Sequence, residues 1–137
     1  MNNYLVRVGT TYIPVRDVEE SALWYVDKLG AELSYKDEDK AIVNLANQSF
    51  FLVQASVGQT SNFIDRYGNE RFSITFEVDG FERLQNLHTE LMERNVQVGD
   101  IEDRGHPGRN FIFYDVNGNL FDVWSELSMR FKGNNPL

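Results

Sequence analysis

The 137-residue chain contains no cysteine. That absence removes disulfides, thiolate metal ligands and cysteine nucleophiles together, and it fits a reducing compartment. Histidine is nearly as scarce, with two in the chain. Basic residues are outnumbered, 13 against 21 acidic ones, for a formal net charge of -8. This balance opposes phosphate backbones and anionic bilayers, so neither nucleic acid nor membrane is expected as a partner. No apolar run approaches the roughly 20 residues that span a bilayer, and the opening MNNYLVRVGTTY lacks the basic and apolar stretches of an export signal. A cytoplasmic protein is the expectation. Also missing are a P-loop, a dinucleotide fingerprint and a Ser-His-Asp order, so those reaction classes have no support.

What remains is an ordinary globular composition, 42% hydrophobic and 25% charged, at a length that suits one domain. Residues Leu5 to Val15 alternate, with Val8, Thr10, Tyr12 and Pro14 on one face and Thr11, Ile13 and Val15 on the other, which predicts a strand. A helix follows: Asp17 and Glu20 have capping-box spacing, Ala22, Tyr25, Val26 and Leu29 form an apolar stripe, and Gly30 suits a left-handed stop. Strands are then predicted over Glu32 to Lys36, Ala41 to Leu45 and Ser49 to Gln54, joined by tight polar hairpins.

After a polar stretch the same order returns. Arg71 to Asp79 sets Ile74, Phe76 and Val78 against Arg71, Ser73, Thr75 and Glu77; Asp79 and Glu82 repeat the capping spacing. Phe81, Leu84, Leu87, His88 and Leu91 supply a helical face, and Asn95 stands where a left-handed stop is expected. Strands are predicted near Val96 to Asp100, Asn110 to Asp115 and Asn119 to Ser125, the last two joined through Asn117-Gly118. The order strand, helix, three strands thus occurs twice, in modules of about 60 residues. Superposing Val15 on Val78 places Thr10 on Ser73, and superposing NQSFFLV on NGNLFDV places Leu52 on Asp122.

IPVRDVEESALWYVDKLG and FYDVNGNLFDVW, in this order around a duplicated module, resemble the opening and closing segments of the vicinal oxygen chelate superfamily, which includes glyoxalase I, extradiol dioxygenases and the bleomycin and fosfomycin resistance proteins. The resemblance implies an α+β fold of two tandem βαβββ modules forming a half-open, eight-stranded curved sheet or barrel. It implies a single domain, with module 1 at about 4–55, a linker at about 56–70, module 2 at about 71–126 and a frayed tail at 127–137. It also implies a homodimer. Metal-using members hold ligands at four strand positions, which here are Thr10, Leu52, Ser73 and Asp122. A catalytic divalent-metal site needs about three strong ligands of the imidazole or carboxylate type, and this set supplies one. No cofactor is therefore predicted; Asp122 is the weak candidate for a metal ligand.

A concave trough is expected to bind a small apolar or aromatic molecule through Thr10, Tyr12, Leu52, Arg71, Ser73, Thr75, Glu77, Arg109, Tyr114, Asp122 and Trp124. In this reading Phe121 and Val123 pack under the helices while Leu120, Asp122 and Trp124 face the trough, with Arg71 or Arg109 as counter-ion to Asp122. Asp122, Glu77 and His106 are the candidate catalytic residues, Asp122 and Glu77 as a general acid/base pair, and RGHPGRN is expected to bring His106 and Arg109 to a bound anion. His88 is expected at the margin of the core. The leading expectation is metal-independent binding of the resistance-protein type; the alternatives are a metal-dependent lyase or dioxygenase, and a non-catalytic interaction domain.

Overall fold

In the computed structural model, residues 2–129 and 131 are described. The chain divides into two compact units, one ending at Thr60 and the other beginning at Ser61. Their named elements, among the described residues, are those of a small α+β fold: two helices, Val18–Leu29 and Phe81–Glu93, and mixed sheets. No helix among the described residues is long and apolar enough to cross a membrane.

The first unit runs β1 (Thr10–Val15), α1 (Val18–Leu29), β2 (Glu32–Lys36), β3 (Lys40–Leu45) and β4 (Gln48–Gln54). Its sheet order is β1-β4-β3-β2, with β1 parallel to β4 and the other pairs antiparallel. The predicted first strand is too long. Leu5 to Gly9 lie outside it and are exposed; among the described residues no strand ladder reaches them despite their alternation. Helix α1 has the ends that were expected: Asp17 Oδ1 accepts from Glu20 N at 2.8 Å, and Gly30 closes it in left-handed geometry at φ 71°. Val26 is more than a third exposed, so the buried stripe is Val18, Ser21, Ala22 and Tyr25 instead.

Alternation in this sheet separates two faces. Ile13, Val15, Ala41, Val43, Phe50 and Leu52 are buried on the side where α1 packs on β2, β3 and β4. Tyr12 and Phe51 pair across the other face, their rings 5.2 Å apart. The β3–β4 loop is the two-residue Ala46-Asn47, both left-handed at φ 50° and 62°, as a primed hairpin turn requires. At the β2–β3 turn Asp37 accepts from Tyr35 Oη and from the backbone N–H groups of Asp39 and Lys40. The Tyr35 hydroxyl, with those N–H groups and Lys40 adding to it, holds the Asp37 carboxyl well below the usual carboxylate range.

The second unit contains β5 (Phe63–Ile64), β6 (Glu70–Arg71), β7 (Thr75–Glu77), α2 (Phe81–Glu93), β8 (Asn110–Tyr114) and β9 (Leu120–Trp124). β5 and β6 form a hairpin of their own, and the main sheet runs β7-β9-β8 with β7 parallel to β9. The strand predicted over Arg71 to Asp79 is therefore two short ones, broken at Phe72 to Ile74. The strand predicted near Val96 to Asp100 is reduced to isolated bridges, Val98 to Phe113 and Glu102 to Asn110. Gly99 N still donates to Ile112 O, and Tyr114 N to Gln97 O, so 97–102 runs beside β8 without a continuous ladder.

Asp79 does not cap α2. Gly80 is the N-cap, at φ 104°, and supplies no side-chain hydrogen bond. Asn95 is left-handed at φ 64° and accepts its place after the last turn, donating its N–H to Met92 O. The apolar face of the sheet is aromatic: Phe76, Phe113 and Phe121 lie with ring centroids 5.3 to 6.2 Å apart. His88 brings α2 onto this face, edge-on to Phe111 at 4.9 Å, with Nε2 donating to Gly99 O at 2.8 Å. It sits at the core margin, as its helical phase predicts. The tail is tied down at its start, where Ser128 N donates to Glu77 Oε1 at 3.0 Å; residues 130 and 132–137 lie outside the described residues.

Candidate functional site

Strand β9 builds the site by alternation. Phe121 and Val123 face the aromatic core; Asp122 and Trp124 project to the opposite side, into a cleft of about 790 Å³ within the second unit. The parallel partner β7 brings Thr75 beside Asp122 and Glu77 beside Trp124. The antiparallel partner β8 sets Ile112 opposite Asp122 and contributes Asn110 to the same cleft. Phe72, Arg104, His106, Pro107, Glu126, Leu127 and Met129 complete the lining. The volume is that of a small-molecule site.

Asp122 borders this cleft but is 2% exposed. Its Oδ2 accepts from the Thr75 hydroxyl and from Asn110 Nδ2, both at 3.0 Å. Its Oδ1 lies 3.1 Å from an Arg104 terminal nitrogen, close enough for an ion pair but off the hydrogen-bonding direction, so Oδ1 takes no directed hydrogen bond. The counter-ion expected at Arg71 or Arg109 is thus Arg104. Arg71 pairs with Asp65 at 3.6 Å, and Arg109 with Asp103 at 3.6 Å. Arg104 is held from behind as well: its Nε and a terminal nitrogen donate to Glu102 Oε1 at 3.2 and 3.1 Å, and its guanidinium lies 5.7 Å from the Phe72 ring centroid.

The loop carrying His106 is fastened by Trp124, whose Nε1 donates to Pro107 O at 2.9 Å. His106 Nδ1 meets the same carbonyl at 2.9 Å, and the rings of His106 and Trp124 stand edge-to-face at 6.0 Å. A carbonyl only accepts, so Nδ1 carries the hydrogen and a neutral ring keeps its lone pair on Nε2. Arg109 does not follow His106 into the cleft lining; its backbone N–H donates to Ser125 Oγ at 2.8 Å and anchors the end of the loop.

Five of the residues singled out from sequence therefore share one cleft: Thr75, Glu77, His106, Asp122 and Trp124. Ser73 is exposed on a bend and donates its hydroxyl to Ser61 O at 3.0 Å. Tyr114 donates to Glu70 Oε1 at 3.0 Å, and burial, with that carboxylate adding to it, pushes its phenol above the ordinary range. In the first unit Thr10 and Tyr12 are exposed, while Leu52 is 0% exposed beside Ile13 on the α1 face. The β4 residue on the face of Thr10 and Tyr12 is Phe51, so the superposition that equates Leu52 with Asp122 is displaced by one residue. Arg104, Asn110 and Phe72 were not found by sequence reasoning. Asn110 carried a signal: in a hairpin joined at Asn117-Gly118 it lies diagonally across from Asp122, on the same face.

The donor chemistry does not fit a catalytic divalent metal. Among the described residues no group of three His, Asp or Glu side chains is placed to hold a metal ion, and of the two Asp122 oxygens Oδ2 is filled by Thr75 and Asn110 while Oδ1 faces the Arg104 guanidinium.

The comparisons with known proteins agree with this architecture. A family model described as the Glyoxalase/Bleomycin resistance protein/Dioxygenase superfamily matches residues 5–123. No curated protein matches the chain. Among solved structures, lactoylglutathione lyase from Agrobacterium tumefaciens is 17% identical with a TM-score of 0.70, over 90% of this chain and 96% of that one. The fosfomycin resistance protein FosX from Listeria monocytogenes, in complex with Mn(II) and sulfate, is 16% identical with a TM-score of 0.70, over 97% and 98%. A glyoxalase/bleomycin resistance protein/dioxygenase from Alicyclobacillus acidocaldarius is 19% identical with a TM-score of 0.69, over 90% and 94%. At these identities the neighbours share a fold, and with the family match the conclusion is that the chain belongs to the glyoxalase/bleomycin resistance protein/dioxygenase group of the vicinal oxygen chelate superfamily.

Proposed function

We propose that the second-unit cleft binds a small molecule with an apolar or aromatic body and does so without a metal. The observation that carries this reading is the surroundings of Asp122, the position where the resemblance puts a metal ligand. Its charge is met by a guanidinium of the chain itself, and its Oδ2 is filled by two internal donors. The walls supply what an aromatic ligand packs against: Phe72, Pro107, Trp124 and Leu127. This is binding of the sequestering, resistance-protein kind.

Chelator-stripped protein equilibrated with Zn, Ni, Mn or Fe(II), then desalted, is expected to retain none of them stoichiometrically on elemental analysis. Stoichiometric retention that Asp122→Ala abolishes would overturn the reading. In a Trp24→Phe background, small aromatic molecules are expected to quench the emission of Trp124.

The same reading takes the two units as tandem βαβββ modules contributing eight strands to a half-open sheet. The orders β1-β4-β3-β2 and β7-β9-β8, each with a parallel first-and-last pair, support it, as does the segment 97–102 beside β8. A cytoplasmic homodimer goes with it, supported by the exposed apolar side chains of Tyr4, Leu5, Val6 and Val8. Sedimentation equilibrium is expected to return twice the chain mass, and a monomer at all concentrations would refute the dimer.

A further inference from the structure

Two buried oxygens at the floor of the cleft lack a hydrogen-bond donor. One is Asp122 Oδ1. The other is Asn110 Oδ1, on a side chain that is 3% exposed. The orientation of the Asn110 amide is not free: a carboxylate can only accept, so the NH₂ must face Asp122 Oδ2, 3.0 Å away, and the carbonyl oxygen is left to the other side. An unsatisfied buried acceptor is costly, and here two sit on side chains bonded to each other.

The surrounding charge is net negative. Among the described residues that line the cleft, Glu77, Asp122 and Glu126 stand against Arg104 alone. Arg104 is also attached unequally: it makes two directed hydrogen bonds to Glu102 but only an undirected contact to Asp122, and about a quarter of its side chain is exposed. It can leave Asp122 while Glu102 still holds it.

Building on the small-molecule reading above, we propose that the ligand carries a protonated amine on its apolar or aromatic body, and that this ammonium displaces Arg104 from Asp122. The three N–H groups of an ammonium then serve Asp122 Oδ1 and Asn110 Oδ1, the two acceptors that the chain leaves unfilled. Arg104 acts as the internal stand-in for the ligand's charge and swings back toward Glu102 as the amine enters. The body of the ligand lies against Trp124 and the edge of His106.

The test is a charge series on the full chain: phenethylamine, its donor-free analogue phenethyl methyl ether, and phenylacetate, each titrated while the Trp124 indole N–H signal is followed by NMR. The amine is expected to bind about tenfold more tightly than the ether, and phenylacetate more weakly than both. Arg104→Met, which keeps an apolar stem but removes the competing cation, is expected to tighten amine binding about tenfold and leave the ether unchanged. Asn110→Leu is expected to remove most of the preference for the amine over the ether. If the ether binds as well as the amine, the amine proposal fails while the cleft remains a binding site. If phenylacetate binds best and Arg104→Met abolishes it, Arg104 is an anion anchor and the proposal is overturned. If no member of the series binds, this proposal and the small-molecule reading fall together. The wild-type series stands by itself should either variant fail to fold.

Discussion

Gly108→Ala is expected to destabilise the second unit by about 2–4 kcal/mol and to disorder the wall of the cleft that carries His106. Gly108 has φ 81°, where an L side chain costs about 1–2 kcal/mol. A Cβ there would stand 2.7 Å from Ser125 Oγ, 2.8 Å from Glu126 Cγ and 2.8 Å from Trp124 Nε1. Two of the three, Ser125 Oγ and Trp124 Nε1, cannot withdraw without loss. Ser125 Oγ accepts from Arg109 N, and Trp124 Nε1 donates to Pro107 O, so the methyl group attacks both fastenings of the loop. Urea denaturation measures the stability, and the indole N–H shift of Trp124 reports the broken bond. A loss below about 0.5 kcal/mol with an unchanged indole shift would show that the loop is not held in this way.

Arg104→Met is expected to cost about 2–3 kcal/mol in the absence of ligand. The reason is the group left behind: the buried Asp122 carboxyl loses the guanidinium that, among the described residues, pairs with it. Partial exposure of Arg104 holds the loss below that of a fully enclosed pair. Asp122→Asn in the Arg104→Met background is expected to recover part of the stability, since a neutral amide removes the uncompensated charge and keeps the size. Comparison of the two single variants with the double variant isolates the pair, with a coupling of about 1–3 kcal/mol. Independent, additive losses would mean that the ion pair contributes nothing. The same variant gives a second reading, because an added amine should restore melting temperature to Arg104→Met more than to the parent chain.

Local chemistry was legible where it is written in neighbouring residues. Asp17, Glu20 and Gly30 bound α1 because a cap and a left-handed stop act within one turn. The hairpins of β2, β3 and β4 fell within a residue of their predicted ends for a similar reason. Asp79 failed as a cap although its spacing to Glu82 was the same, because Gly80 took the position one residue later. The two faces of β9 followed from alternation, which placed Thr75, Glu77, Asp122 and Trp124 together. The partner of Asp122 did not follow. Arg104 is 18 residues away in an irregular stretch, between Arg109 at 13 and Arg71 at 51, so separation in sequence does not choose among them and tertiary geometry does. The displacement between Leu52 and Asp122 has the same origin, since one residue of register exchanges the two faces of a strand and identity at 17% or in two short motifs does not resolve it.

The placement of β9 between β7 and β8 also has a consequence in time. β9 is the last strand of its sheet to leave the ribosome, and it is the only one that β7 and β8 both bond to. Until residues 120–124 are available, β7 and β8 have open edges and the aromatic face of the sheet has no centre. β7 then pairs with a strand 47 residues further along, Thr75 with Asp122, a contact that closes late because the intervening chain must first be gathered. β4 plays the same part in the first unit, inserted between β1 and β3. Both sheets are therefore finished from the middle, and Asp122 arrives on the keystone of the second. The cleft around Asp122 and the structural closure of that unit are produced by one event, so a nascent or partly unfolded chain has no half-formed cleft.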